Sequence, residues 1–183
     1  MSLSNQAGNQ TSSQIVNKTA LIIIDPQNDY LAGGKYPLWN MEASIKQIQL
    51  AMKTATEKSM SIYFVQHIAS AEAPFFQEGS EGAEVIKVLR ESAPDANVVV
   101  KHYADSFEQT ELDQLLKAEG IEKIVLCGMM TQNCITHTAL SKTAEEYQVS
   151  ILSDACTTVD EMVHNIALNA LSVRCTFGLT QDL

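Results

Sequence analysis

One segment near the start of the chain restricts the fold more than any other. It runs from Ala20 to Ile24 without a polar residue and stops at Asp25-Pro26. A strand is apolar on both faces only where both are covered, as in the parallel sheets of α/β proteins. Because Pro26 cannot continue the hydrogen-bonded ladder, we expect Asp25 at the carboxyl edge of the sheet, where ligands bind. Alternatively, Asp25 only fixes the turn through its own backbone.

The same kind of pattern recurs along the chain and predicts five more strands. Short apolar runs bounded by turn or polar residues lie at 60–65, 98–101, 124–127, 149–152 and 173–177. Segments with helical character separate them, at 41–58, 84–90, 106–117, 132–147 and 159–171. Strands that alternate with helices predict parallel βαβ units and therefore an α/β fold.

Composition sets the limits on domains and partners. Residues 1–17 are rich in Ser, Asn and Gln, so we expect a flexible tail there and one domain over 18–183. The net charge of −10 disfavours a nucleic-acid partner. No apolar run approaches the roughly 18 residues of a membrane span, and residues 1–17 lack the charged-then-apolar order of a secretion signal, so we expect neither. Four cysteines without scaffold-like spacing favour a cytoplasmic location.

Cys134 is the cysteine with a position suited to chemistry. It follows a predicted strand and Gly128 and lies about three residues inside a predicted helix start, for which Thr131 is a candidate N-cap. Unpaired backbone N–H groups and the helix dipole favour an anion there, which can lower the pKa of a thiol. The same N–H groups can hold the oxyanion of an attacked carbonyl. Alternatively, Cys134 is a buried structural residue, as we expect for Cys127, Cys156 and Cys175.

Lys101 supplies a third polar residue at the end of a predicted strand. Burying an unpaired ammonium is costly, so this lysine either has a charged partner or extends to solvent. If the strand order is 3-2-1-4-5-6, Asp25 and Cys134 face each other across the point where the order reverses. Lys101 then lies two strands from Asp25, roughly 10 Å away, which a long side chain can span. The three residues are predicted to form one site.

These residues carry a resemblance to a known family. Asp25, Lys101 and the segment Gly128-Met-Met-Thr131-Gln-Asn-Cys134 resemble the Asp-Lys-Cys triad and the G-x-x-T-x-x-C motif of the isochorismatase-like cysteine hydrolases. Their members include nicotinamidases, carbamoylsarcosine-type amidohydrolases and isochorismatase. The resemblance extends over nearly the whole chain after the tail. It implies a three-layer α/β/α fold around a six-stranded parallel sheet of order 3-2-1-4-5-6, and a dimer or tetramer.

The resemblance also implies roles for the residues of the site. Asp25 would take the proton of Cys134 and later activate water, while Lys101 would stabilise the thiolate. The backbone N–H groups of Met130 and Cys134 would form the oxyanion hole, and the Met129–Met130 peptide bond would be cis. The substrate would be a small amide, carbamoyl or imide compound, cleaved without a cofactor through a thioester-type intermediate.

Two departures from the family pattern bear on the chemistry. Nicotinamidases carry a D-x-H ligand set and a further histidine between the triad aspartate and lysine, whereas residues 26–100 contain His67 alone. We therefore expect no metal. Members that cleave the vinyl ether of isochorismate lack the nucleophilic cysteine, so Cys134 disfavours ether hydrolysis. A redox or sensor thiol protein, with Cys127 as the resolving cysteine, and a non-catalytic binding module are also compatible with the sequence.

Further residues are candidates for lining a substrate pocket. Gln27 and Tyr30 lie in the loop after the first strand, and His67 ends the second as a substrate contact, a ligand or a locally satisfied side chain. Phe75 and Phe76 form a lid or subunit contact, or they anchor their loop to the core. The remaining candidates lie downstream and are Phe107, Asn133 and His137, of which His137 is also typical of a helix surface.

Overall fold

The structure is a computed structural model that describes residues 18–183. These residues form a six-stranded sheet in the order β3-β2-β1-β4-β5-β6, in which all neighbouring strands are parallel. The strands are β1 Lys18–Ile24, β2 Ser61–His67, β3 Asn97–Lys101, β4 Ile121–Met129, β5 Gln148–Thr157 and β6 Thr176–Gly178.

Within the described range, five α-helices connect or flank the strands. They are α1 Met41–Glu57, α2 Lys87–Ser92, α3 Leu112–Ala118, α4 Thr136–Leu140 and α5 Glu161–Leu171. A single π-helical turn, Thr131–Ile135, stands between β4 and α4. Several short 3₁₀ turns complete the connections.

Strand β1 lies in the middle of the sheet and requires an uninterrupted aliphatic run, because both of its faces are covered. Residues 21–24 of β1 point alternately to the two faces of the sheet, and all are fully buried. Helix α1 packs against β1 and β5, and α3 packs against β4. The predicted α/β fold and the strand order 3-2-1-4-5-6 are therefore confirmed.

The boundaries of several elements differ from the sequence-based prediction. The helix predicted over 132–147 is divided, because Ser141 leaves the helical conformation with ψ 142° and a 3₁₀ turn follows at Thr143–Glu146. The helix predicted from residue 106 begins only at Leu112. Strand β5 is longer than predicted and β6 shorter. None of these shifts moves a strand to another place in the sheet.

Two expectations concern the limits of the domain. The proposed tail at residues 1–17 lies outside the described residues. Between residues 18 and 183, no helix combines the length and the apolar character that a membrane crossing requires.

Candidate active site

The carboxyl ends of three strands bring Asp25, Lys101 and Cys134 together. Asp25 directly follows β1, Lys101 is the last residue of β3, and Cys134 lies in the π turn after β4. Residue 24 of β1 pairs with Gly128 of β4, so the ends of these two strands are adjacent. All three side chains are buried. The convergence expected from the sequence is present in the structure.

Asp25 and Lys101 form a buried ion pair. Lys101 Nζ lies 3.0 Å from Asp25 Oδ2, and neither side chain is exposed to solvent. The same ammonium group donates hydrogen bonds to the carbonyl oxygens of Tyr103 and Ala104, at 3.0 and 3.2 Å. Burial alone would lower the pKa of Lys101, but the attraction of Asp25 and Cys134 outweighs it, and the pKa is raised. Lys101 is therefore a permanent cation within the site.

The Cys134 thiol is adjacent to this ion pair. A carboxylate oxygen of Asp25, a ring nitrogen of His67 and Cys134 Sγ all lie within 4.8 Å of one another. Burial and the neighbouring Asp25 raise the pKa of Cys134, and Lys101 offsets only part of that effect. This result differs from the lowered pKa expected for a helix start, because the helix-terminus argument did not include burial or the nearby carboxylate. Before a substrate binds, Cys134 is a neutral thiol.

One oxygen of the Asp25 carboxylate is free to accept a proton. Its Oδ1 atom is buried and has no hydrogen-bond partner among the residues that the structure describes. An unpaired buried carboxylate oxygen is unusual, because its desolvation is not compensated. It can accept a proton from the neighbouring thiol without losing an existing hydrogen bond.

A close approach of two backbones shapes the turn that holds Cys134. Gly128 has φ +116°, and a Cβ atom at this position would lie 2.1 Å from the carbonyl oxygen of Ile24. The peptide bond between Met129 and Met130 is cis. The π turn begins immediately afterwards. Only glycine fits at residue 128, because both the space and the backbone conformation exclude a larger side chain.

Thr131 does not act as the predicted N-cap of a helix. Its hydroxyl donates instead to the carbonyl oxygen of Thr157 at 3.1 Å and lies 2.9 Å from His164 Nδ1. Thr131 is fully buried. This interaction was not predicted, since His164 lies 33 residues further along the chain and no local pattern connects the two.

The side chain of Gln27 forms hydrogen bonds with the backbone next to the site. It is fully buried, its Oε1 accepts a hydrogen bond from the His67 backbone N–H, and its Nε2 donates to the carbonyl oxygens of His67 and Ala83. Both amide hydrogens are used. Gln27 thus holds the end of β2 in place. The sequence alone did not distinguish this structural role from that of a pocket-lining residue.

His67 is a direct neighbour of the ion pair. Its Nδ1 lies 3.3 Å from Lys101 Nζ, so the ring accepts from the ammonium group and carries its own hydrogen on Nε2. Burial lowers the pKa of His67, and Lys101 lowers it further against the opposing effect of Asp25. A neutral ring is therefore favoured.

An aromatic cluster adjoins this site. The rings of Tyr30, Phe75 and Phe76 are in mutual contact, with centroid distances of 4.7 to 5.9 Å, and Phe76 also contacts His67 at 6.0 Å. Burial raises the pKa of Tyr30, and the nearby Asp25 and Cys134 raise it further, so its hydroxyl stays protonated. Asp29 orders the loop by accepting the Phe76 backbone N–H at 2.7 Å.

The other suggested pocket residues take different places. Phe107 stacks on Tyr147 with a centroid distance of 6.0 Å and an interplanar angle of 9°. His137 is exposed, and its Nδ1 lies 2.8 Å from the carbonyl oxygen of Asn133. Asn133 itself is partly buried in the π turn. None of these contacts joins them to the aromatic cluster.

The donor atoms of the site do not fit a resident metal ion. Within residues 18–183, one group of three potential ligands converges, formed by Asp25, His67 and Cys134. Lys101 Nζ already contacts the Asp25 carboxylate and His67 Nδ1 at 3.0 and 3.3 Å. A metal bound by these atoms would have to displace or repel the ammonium group, which is unfavourable at such short distances.

Comparison with known proteins places this arrangement in a family. The model of the isochorismatase domain matches residues 19–181. The chain belongs to the isochorismatase family. The uncharacterized isochorismatase family protein YddQ of Bacillus subtilis (strain 168) is 33% identical over 160 residues, which cover 87% of this chain and 88% of YddQ.

Two further relatives of this isochorismatase-family chain bear on its fold and chemistry. An isochorismatase-like hydrolase from Alkaliphilus metalliredigens has a solved structure with a TM-score of 0.84 and 27% identity, covering 92% of this chain and 96% of that one. Maleamate amidohydrolase of Pseudomonas putida is 27% identical over 152 residues, which cover 75% of this chain and 71% of the relative. The predicted family and fold are confirmed, and the family similarity supports a hydrolase.

Proposed function

We propose that this chain is a cysteine-dependent hydrolase of small amide, carbamoyl or imide compounds, with Asp25, Lys101 and Cys134 as its catalytic residues. The observation that carries the proposal is the buried contact among the three side chains, in which Asp25 Oδ1 has no hydrogen-bond partner among the described residues. A thiol beside a proton acceptor is the pair that nucleophilic acyl transfer requires. A fixed cation can stabilise the negative charge that develops in the reaction.

In the first half of the reaction, the thiol is converted to an acyl thioester. Asp25 takes the proton of Cys134 as the sulfur attacks the carbonyl carbon, and Lys101 stabilises the negative charge that develops on the sulfur. The backbone N–H groups of Met130 and Cys134 are the proposed donors to the carbonyl oxygen. The tetrahedral intermediate then collapses, the carbon–nitrogen bond breaks, and the proton held by Asp25 leaves with the nitrogen. A primary amide thus yields ammonia and a Cys134 thioester.

The second half restores the enzyme. Asp25, which is again a carboxylate, takes a proton from a water molecule that attacks the thioester carbonyl. The carbon–sulfur bond breaks, and the same proton passes to the sulfur of Cys134. The product is a carboxylic acid, or a carbamic acid from a carbamoyl substrate. No redox step or cofactor is needed.

The surroundings of Cys134 favour an uncharged substrate. The charged residues that affect the Cys134 thiol are Asp25 and Lys101, and these two neutralise each other. The aromatic cluster formed by Tyr30, Phe75 and Phe76 adds apolar rings and one protonated hydroxyl beside the site. A relative with the name maleamate amidohydrolase supports amide chemistry, although maleamate itself carries a carboxylate.

A redox function has less support, because of the position of Cys127. This cysteine is fully buried in β4, and the groups that act on its thiol are Cys156 and Asp154 rather than Cys134. Burial raises the pKa of Cys127 well above its usual value. A thiol without access and without thiolate character is a poor resolving cysteine.

The proposal is tested by measuring ammonia release from a panel of small primary amides and ureides. Cys134→Ala is expected to lower turnover by at least about 10³-fold, because the nucleophile is lost. Asp25→Asn should cause a large loss too, since the amide cannot take the thiol proton. Cys175→Ala serves as the matched cysteine control and should retain full activity. Turnover by Cys134→Ala equal to that of the unmodified protein would exclude the proposed mechanism.

A further inference from the structure

His164 lies outside the proposed catalytic groups, yet it contacts the turn that holds the nucleophile. It belongs to α5, is largely buried, and places its Nδ1 atom 2.9 Å from Thr131 Oγ1. Thr131 is the first residue of the π turn and precedes Cys134 by three residues. Helix α5 therefore reaches the reactive turn through one side-chain hydrogen bond.

The direction of this hydrogen bond follows from the chemistry of the groups. The hydroxyl of Thr131 has one hydrogen, and it is donated to the carbonyl oxygen of Thr157 at 3.1 Å. The oxygen can then only accept from His164, so His164 carries a hydrogen on Nδ1. A protonated imidazole ring would also donate from Nδ1. The bond is thus compatible with both charge states of the ring.

Thr131 transmits this anchoring to the backbone of the turn. Its carbonyl oxygen accepts the hydroxyl of Thr136 at 2.7 Å and also the Thr136 backbone N–H, which closes the turn that contains Cys134. The side chain of Thr131 is fixed to β5 and α5, whereas its carbonyl group fixes the turn. Any displacement of Thr131 therefore displaces Cys134 relative to Asp25.

Several contacts fix His164 itself. Asp160 caps the start of α5, because its side chain accepts the backbone N–H of Val163 at 2.8 Å. The indole ring of Trp39 packs beside the imidazole ring with a centroid distance of 5.9 Å. The Trp39 carbonyl oxygen accepts the hydroxyl of Thr157, and the Trp39 N–H donates to the Thr158 carbonyl oxygen at 2.9 Å. The loop before α1, strand β5 and α5 thus meet at this histidine.

We propose that His164 is a positioning residue, which acts through its hydrogen bond to Thr131 to hold the Cys134 turn against Asp25 and Lys101. Its role rests on the proposed function of Cys134 as a nucleophile. His164 does not contact the reacting atoms and takes no proton from the substrate. A displacement of the order of 1 Å at a reacting group can lower a rate by about 100-fold, so one remote hydrogen bond can control activity.

The test compares four variants by two measurements. Thr131→Val and His164→Leu each remove the hydrogen bond with little change in volume, and Thr131→Val also removes the bond to the Thr157 carbonyl oxygen. Thr131→Ser keeps the hydroxyl, and His164→Asn keeps an N–H donor near the position of Nδ1. The first measurement is the rate at which iodoacetamide labels Cys134, followed by peptide mass spectrometry over a range of pH. The second is kcat and KM for the amide that the screen identifies.

We expect Thr131→Val and His164→Leu to lower the labelling rate and kcat by about 10- to 100-fold, with KM nearly unchanged. The double variant should be no slower than Thr131→Val alone, because the bond that His164→Leu removes is already absent there. Thr131→Ser and His164→Asn should recover most of the rate. The pH profile should keep its shape in every variant, since His164 transfers no proton.

Full labelling rate in His164→Leu would overturn the proposal, as would multiplicative losses in the double variant. Failure of both conservative variants to recover the rate would do the same. If His164→Leu does not fold, as judged by its thermal unfolding, His164→Ala takes its place in the comparison with His164→Asn, because Thr131→Val also loses the bond to Thr157. Equal labelling rates of His164→Ala and His164→Asn would then overturn the proposal. Labelling does not require a substrate. Absence of turnover in every protein would therefore count against the amidase function, whereas the labelling rates still decide the role of His164.

Discussion

Lys101 is the residue of this site whose replacement is expected to lower the stability of the fold most. Its ammonium group is inaccessible to solvent and lies 3.0 Å from the equally inaccessible Asp25 carboxylate. Its other hydrogen-bond acceptors are the carbonyl oxygens of Tyr103 and Ala104 and the Nδ1 atom of His67. A buried ion pair is tolerated only when its partners compensate the loss of water, so removing one partner leaves the other charge uncompensated.

Lys101→Met is therefore expected to destabilise the fold as well as to abolish activity. The free energy of unfolding, measured by urea titration, should fall by about 3–5 kcal/mol because Asp25 remains buried without its counter-ion. Lys117→Met is the control, since Lys117 forms an exposed pair with Asp113 and should have little effect. A Lys101→Met protein as stable as the unmodified chain would show that Asp25 is compensated in another way.

At the scale of secondary-structure elements, the contact between β1 and β4 sets the distance between Asp25 and Cys134. Gly128 allows the two backbones to approach at the point where both strands end. The sequence identifies Gly128 as the end of a strand but not as a contact, because the contact depends on the pairing of residues more than 100 positions apart. The cis peptide bond followed from family resemblance rather than from the residues.

Gly128→Ala should separate these two strands and disturb the site. The new methyl group would meet the Ile24 carbonyl oxygen, in addition to the strain of a positive φ. Gly120→Ala is the matched control, because Gly120 also has a positive φ but no atom lies within 4 Å of the added carbon. We expect the control to lose about 1–2 kcal/mol and Gly128→Ala to lose more, together with its activity. Equal thermal midpoints for the two variants would contradict this explanation.

At the scale of the whole molecule, the sequence predicted the features that depend on the alternation of strands and helices and on the order of residues along the chain. The aliphatic runs indicated the strands, and the placement of Asp25, Lys101 and Cys134 after three of them predicted their convergence. The raised pKa of Cys134 and the partners of Gln27 and His164 were not predictable, because they arise from burial and from contacts between distant segments. The predicted N-cap at Thr131 failed for a similar reason, since its hydroxyl makes tertiary hydrogen bonds instead.

The ionisable groups of the whole molecule predict a stability maximum between about pH 6.5 and pH 9. Burial lowers the pKa of His67 and His164 below the ordinary value of 6.5. Below that pH the unfolded chain binds protons that the folded chain excludes, so stability falls as the pH decreases. Burial raises the pKa of Cys156 to about 12 and that of Cys127 well above the ordinary 9.0. Above pH 9 the unfolded thiols release protons that the folded chain retains, so stability falls again.

Urea midpoints measured across this pH range test that profile. His164→Asn should reduce the loss on the acidic side, because one of the two histidines no longer titrates. Midpoints that stay constant or rise below pH 6.5 would show that the histidines are not buried as neutral rings.

The proposed mechanism depends on Cys134 forming a covalent bond to the acyl part of a substrate. Rapid quenching in acid, followed by mass spectrometry of intact protein and peptides, measures this bond directly. We predict a mass increase equal to the substrate minus ammonia, confined to the Cys134 peptide, removed by hydroxylamine and missing in Cys134→Ala. Product formation during a single turnover without any adduct on Cys134, together with unchanged rates in Cys134→Ala, would contradict it.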